Sequence, residues 1–167
     1  NPHDAIRSMI GRRSLPRFLT MLDGLEAEGE TDLASIVNLA TSCAGGRGLF
    51  IVLSDFFDPE GALNGAQALR DRGHEVALVE VLDPLEIDPP DLGGLVVEDE
   101  ETGELVELPD SGARKAYLAA LEKHRREMDE GAMTMGAPVI RIDTSQAFDD
   151  VVAQAITSGL MRAGTVS

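Results

Sequence analysis

The stretch Leu49-Phe50-Ile51-Val52-Leu53 is apolar at every position. Such a run, without alternation of apolar and polar residues, is the pattern of a strand covered on both faces within a parallel sheet. A second run follows at Glu75–Leu82, where Val76, Leu78, Val79, Val81 and Leu82 again predict burial. Between them Asp58-Pro59-Glu60 opens a helix: Asp58 is the cap, Pro59 takes the first helical position, and Leu63, Ala66 and Leu69 face inward. Strand, helix and strand make a parallel crossover, so the class is α/β.

The flanks extend this pattern. Leu15, Phe18, Leu19, Leu22 and Leu25 recur at three- and four-residue steps and predict an amphipathic helix over 15–28, with Pro16 tolerated in its first turn. Thr31 caps a second helix with Leu33, Ile36, Val37 and Ala40 as its buried stripe. Pro84, Pro89 and Pro90 forbid regular structure after the second strand. Residues 95–97 and 105–108 then predict a β-hairpin turned at Thr102-Gly103, an insertion near 94–109 or an extension of the sheet. A long helix over 112–130 turns Ala116, Tyr117, Ala120, Leu121, His124 and Met128 inward and Arg125 outward. A third parallel strand at 138–142, alternating enough to suit a sheet edge, and a last helix over 148–161 complete the chain. That helix buries Val151, Val152, Ala155, Ile156 and Leu160. The expected fold is three-layer, doubly wound and mostly parallel: residues 1–14 form a leading segment and 15–167 a single domain.

Charge narrows the partners. Thirty acidic against fourteen basic residues give −16, which repels a polyphosphate backbone and argues against nucleic acid. Glu98, Asp99, Glu100, Glu101, Glu104 and Glu107 crowd the hairpin, the habit of a solvated face, or of one that meets a basic partner. A lone Cys43, no secretory signal and no apolar span of membrane length fit a reducing, cytoplasmic compartment without membrane insertion. The start at Asn1-Pro2 suggests a piece of a longer protein.

Candidate chemistry is sparse. Nucleophile elbow, P-loop, dinucleotide fingerprint and zinc-protease helix are all absent from the sequence. His3, His74 and His124 stand without metal-ligand spacing, His74 suiting the turn it occupies, and Cys43 has no activating neighbour. What remains is Asp55 at the carboxyl end of the first strand, where open α/β sheets collect ligands, together with Thr31 in the loop before it. A hydroxyl and a carboxylate converging there are hard oxygen ligands suited to Mg2+. Taken by residue type alone, Thr31 as a helix cap and Asp55 as an acid that ends a strand or caps the following turn is the commoner use, and spacing does not settle the choice. Asp83 and Asp143 follow the next two strands, which keeps a Mg2+-dependent phosphoryl-handling enzyme or phospho-acceptor using Asp55 as the alternative function.

Gly11-Arg12-Arg13-Ser14-Leu15, Gly29-Glu30-Thr31-Asp32-Leu33, Val52-Leu53-Ser54-Asp55-Phe56, Arg72-Gly73-His74-Glu75-Val76, Leu82-Asp83-Pro84-Leu85-Glu86 and Asp99-Glu100-Glu101-Thr102-Gly103-Glu104 occur in that order. In this ordered set the chain resembles the carboxyl-terminal part of the family catalogued as domain of unknown function 58, whose members contain a von Willebrand factor A-like domain. The resemblance implies a non-enzymatic interaction or adaptor module with a metal-ion-dependent adhesion site at the top of the sheet, working with a MoxR-type AAA ATPase in complex assembly or activation. It assigns Thr31 and Asp55 as metal ligands. The Asp-x-Ser-x-Ser loop that completes such a site does not occur in these residues, so Mg2+ is expected to bind only in a longer protein and not firmly here. The resemblance also implies that the strand lying beside 49–54 is missing, so a homo-oligomer covering that edge is expected.

Overall fold

A computed structural model of the chain describes residues 12–24, 37, 46–91, 93–94, 96–98, 103, 105–107 and 112–158. Strands β1 (Leu49–Ser54), β2 (Glu75–Leu82) and β5 (Val139–Asp143) form a parallel sheet in the order β1-β2-β5. Leu49 lies opposite Glu75 and Ser54 opposite Glu80, while Leu78 lies opposite Val139 and Leu82 opposite Asp143. Because side chains alternate across a strand, this register sorts the sheet into two faces.

Phe50, Val52, Val76, Leu78 and Val139 pack on one face. Helices α2 (Pro59–Asp71) and α4 (Ala113–Met135) cover it with Ala62, Ala66, Leu69, Met128 and Ala132. Leu49, Ala77, Val79, Val81, Ile140 and Ile142 pack on the other face, where Ala155 of α5 (Phe148–Thr157) joins them. Helices on both faces of a parallel sheet make the three-layer α/β architecture that the pattern predicts.

The caps follow the sequence closely. Asp58 Oδ1 accepts the Gly61 N–H at 3.0 Å, and Pro59 fills the first turn of α2. Helix α4 does not stop at residue 130 as expected. The helix runs on to Met135, and a Cβ at Gly131 would stand 2.4 Å from Leu63 Cδ1, so glycine there lets α4 approach α2. The hairpin is separate from the main sheet: β3 (Val96–Glu98) pairs antiparallel with β4 (Leu105–Glu107), and Gly103 has the positive φ of 70° that the turn needs.

Several expectations need correction. Among the described residues β1 lies at the sheet edge, in line with the uncovered edge expected at 49–54, but it is not covered on both faces: Ile51 is 44% and Leu53 66% exposed, whereas Val76 to Glu80 of the inner strand β2 are all buried. An all-apolar run therefore marks both, although only β2 is sheathed on both faces. The amphipathic helix α1 (Leu15–Asp23) ends early at Gly24 and leaves Leu15, Phe18, Leu19 and Leu22 exposed. Ala116 and Ala120 of α4 face solvent while Arg125 turns inward, because a guanidinium is drawn to a buried acid that small apolar groups cannot satisfy. In α5 Val152 and Ile156 are exposed. Prolines do not abolish structure after β2: α3 (Pro84–Ile87) forms a single turn because Asp83 and Glu86 close a reciprocal capping box around Pro84.

The helix expected after Thr31 lies outside the described residues except for Val37, which is helical and buried against α2. Leu25, Cys43, His3, Leu160 and most of the acidic hairpin cluster also lie outside them. Among the described residues no helix is long and apolar enough to cross a membrane.

Candidate functional site

At the carboxyl end of β1 the chain makes two tight side-chain turns in succession. Ser54 Oγ accepts the Phe56 N–H at 3.0 Å, and Asp55 Oδ1 accepts the Phe57 N–H at 3.1 Å and the Ser54 hydroxyl at 3.3 Å. Short polar side chains that bond the backbone two residues on do this wherever a strand must stop. Phe56 is the single described non-glycine residue at positive φ, 57°. That left-handed conformation sends its ring into the core, where it is fully buried, and throws Phe57 outward at 63% exposure. A non-glycine residue held there costs on the order of 1 kcal/mol, and the buried ring offsets it.

Asp55 is thus an exposed carboxylate with one oxygen engaged by its own turn. Asp83 ends β2 but is spent locally: Oδ1 accepts the Leu85 N–H at 2.9 Å, and Oδ2 accepts the Thr144 hydroxyl at 3.1 Å. Asp143 ends β5, and its Oδ1 accepts both the N–H and the hydroxyl of Ser145, at 2.7 and 2.6 Å. These bonds, the hydroxyl's foremost, hold its carboxyl below the usual carboxylate range. The β1 ladder stops opposite Glu80, two residues short of Leu82, so the strand-end acids are staggered rather than level.

Thr31 lies outside the described residues. Among the described ones no three His, Cys, Asp or Glu side chains are grouped so as to hold a metal. Mg2+ takes near-octahedral oxygen coordination, and a lone Asp55 with one oxygen already bonded does not supply it.

The histidines at described positions have plain structural surroundings. His74 is buried at the entrance of β2, where its Nδ1 accepts the Gly48 N–H at 3.3 Å and its ring meets Phe50 edge-on at 4.8 Å. It ties the starts of β1 and β2 together. His124 sits half-buried on α4.

Sequence reasoning missed a buried charge. Glu80, in the middle of β2 and 2% exposed, points to the α2/α4 face. Arg125 of α4 brings Nη2 to 2.7 Å and Nε to 2.9 Å of Glu80 Oε2, and Arg141 of β5 brings Nε to 3.3 Å of the same oxygen. Arg141 also reaches Asp129 at 2.8 Å. A cleft of about 420 Å3, lined by Ile87, Leu118, Leu121, Arg125 and Arg141 among others, opens beside this cluster. The available signal was an acid inside an apolar run, since a strand otherwise buried does not carry one without a cation to meet it. Nearby, the Tyr117 hydroxyl donates to the Glu86 carbonyl at 2.7 Å, and burial, with Glu86 adding to it, raises its pKa. Arg114 pairs with Asp88, so α4 is tied to α3 and the loop beyond it at two points.

Fold and site together define an α/β protein with a parallel sheet, helices on both faces and a rigid, exposed turn at the end of its edge strand. The chain belongs to the family described as protein of unknown function DUF58, whose model matches residues 3–127. It is 32% identical to the uncharacterized protein MAV169 of Mycobacterium avium over 116 residues, which cover 69% of this chain and 68% of that protein. It is 31% identical to the uncharacterized protein Rv1480 of Mycobacterium tuberculosis over 116 residues, 69% of this chain but 36% of that one. The match thus spans about a third of the longer relative. Among solved structures, the conserved hypothetical protein BatB from Bacteroides thetaiotaomicron is similar with a TM-score of 0.49 and 19% identity, over 90% of this chain and 70% of that one.

Proposed function

We propose that this chain is a non-enzymatic protein-interaction module of von Willebrand A-like type, an adaptor that meets a MoxR-type AAA ATPase through the turn after β1. The observation that carries the reading is the turn itself. It presents Asp55 and Phe57 to solvent on a backbone held by two hydrogen bonds, with a third between the Ser54 and Asp55 side chains, and anchored by the buried Phe56 ring. An acid beside an exposed aromatic on a preorganised loop loses little entropy on binding and suits a protein partner. Membership of the DUF58 family is consistent with this reading. Thr31 and Asp55 stand for two elements of an adhesion-type cation site that is incomplete in this chain, and the module acts in the cytoplasm.

The test is capture of the purified chain by an immobilised MoxR-type AAA ATPase. Capture is expected, with Phe57→Ala and Asp55→Ala each weakening it about tenfold, the size of a modest hot spot. EDTA is expected to change little, because two ligands do not hold Mg2+. No capture by the ATPase would overturn the adaptor role. Capture indifferent to both substitutions would overturn the turn as its contact.

A further inference from the structure

The buried acid of β2 and its two arginines form a cluster that the turn after β1 does not draw on. The pairing of β2 with β5 sets Glu80 beside Arg141 under α4, and Arg125 reaches down from α4 to the same point. Three guanidinium nitrogens, Nη2 and Nε of Arg125 and Nε of Arg141, converge on Glu80 Oε2. One oxygen does not satisfy them all. Arg141 Nε is buried 3.3 Å away yet makes no hydrogen bond, and among the described residues no hydrogen bond engages Nη1 of either arginine. Two guanidinium groups on one carboxylate also leave one positive charge over. Asp129 balances it from outside, bonded to Arg141 Nη2 at 2.8 Å but half exposed.

The cleft of about 420 Å3 opens at this point and falls within the size range of small-ligand sites. Arg125, Arg141 and Asp129 line it, Ile87, Leu118 and Leu121 give it apolar surface, and Arg126 and Glu122 cancel each other there as an exposed pair. We propose that this cleft binds a monocarboxylate with an apolar body about the size of a leucine side chain. The ligand's carboxylate takes the place of Asp129 on Arg141 and shares Arg125, and its apolar body rests on Ile87, Leu118 and Leu121.

The surroundings select that chemistry. A guanidinium presents a planar fork that matches a carboxylate. Glu80 already holds both forks in place from behind, so binding has little left to order. A chain of net charge −16, with Glu122 and Asp129 in the cleft itself, repels a dianion such as phosphate more than a single negative charge. The apolar wall adds nothing for a bare ion and favours a hydrocarbon group. A free small acid and the C-terminal residue of a protein chain both offer this combination.

Titration of the isotope-labelled chain, followed by amide chemical shifts, tests the site. N-acetyl-leucine is expected to shift the amides around Leu121, Arg125 and Arg141 and to saturate at roughly millimolar concentration, the range reached by about a dozen heavy atoms in an open cleft. Its neutral amide, and inorganic phosphate at equal ionic strength, are expected to leave them in place. Arg141→Gln keeps both bonds from Arg125 to Glu80 and is expected to weaken binding about tenfold, the worth of one charge-assisted hydrogen bond. Asp129→Asn removes the competing charge and is expected to strengthen binding several-fold, a gain that a purely structural ion cluster would not give. No saturable shift with N-acetyl-leucine, or binding that Arg141→Gln leaves unchanged, overturns the site. An equal response to phosphate or to the neutral amide overturns the carboxylate, and weaker binding by Asp129→Asn overturns the exchange. A peptide ending in leucine that binds much more tightly than isocaproate assigns the site to a protein C-terminus, and equal binding assigns it to a free acid; either result upholds the cleft as a carboxylate site.

Discussion

Phe56→Ala is expected to lower the stability of the chain by about 3–5 kcal/mol, the usual cost of truncating a buried phenylalanine. The ring is 1% exposed and belongs to the same cluster as Ala62, Ala66, Leu69, Val76 and Leu78. It is the clasp between the core and the turn that presents Asp55 and Phe57. Nothing nearby is free to collapse into the space, because β2 and α2 are fixed by their own ladder and cap. Phe56→Gly removes the same ring while relieving the positive φ, so it should lose slightly less, by the order of 1 kcal/mol that the left-handed backbone costs. Urea denaturation of both variants checks this. A loss under about 1 kcal/mol for Phe56→Ala would mean that the ring is not buried as described.

Arg125→Met is expected to cost about 3–5 kcal/mol, for a different reason. Glu80 is buried to 2% exposure, and Arg125 provides its two shortest contacts. Removing the arginine leaves an acid in the core that cannot return to water and retains only the longer contact from Arg141 at 3.3 Å. The converse change should be far gentler. Glu80→Leu frees two arginines that are already a quarter to a third exposed and can reach solvent, while a leucine suits the apolar neighbours. The asymmetry is the diagnostic, and thermal or denaturant unfolding of the two single variants measures it. Equal losses would show that Glu80 is not the desolvated member of the cluster.

Much of the fold was legible before any coordinates because its signals were local. The cap at Asp58, the proline after it, the turn at Gly103 and the order strand–helix–strand each rest on residues a few positions apart. What failed was long-range. The run Leu49–Leu53 reads as covered on both faces, and composition cannot tell a strand sheathed by helices from one whose apolar side chains stay partly exposed. Period alone also does not say what the apolar face of the amphipathic helix α1 meets, and its Leu15, Phe18, Leu19 and Leu22 are exposed. Arg125 falls on the outer face of α4 by helical period, and it is only the pairing of β2 with β5 that sets Glu80 beside Arg141 and within its reach. Asp55 was found because strand ends are where ligands gather. That its partners are its own Ser54 and Phe57, rather than Asp83 or Asp143, depends on a stagger between strands that no single stretch of sequence encodes.

Among the described residues β1 is the edge strand that carries the exposed turn, and residue-resolved amide hydrogen exchange over residues 49–54 tests that placement most directly. At high dilution the amides of Phe50 and Val52, bonded to β2, should be protected, and those of Leu49, Ile51 and Leu53 should exchange quickly. Slow exchange at both odd and even positions would mean that another strand already lies along β1, and the account would be wrong at its centre.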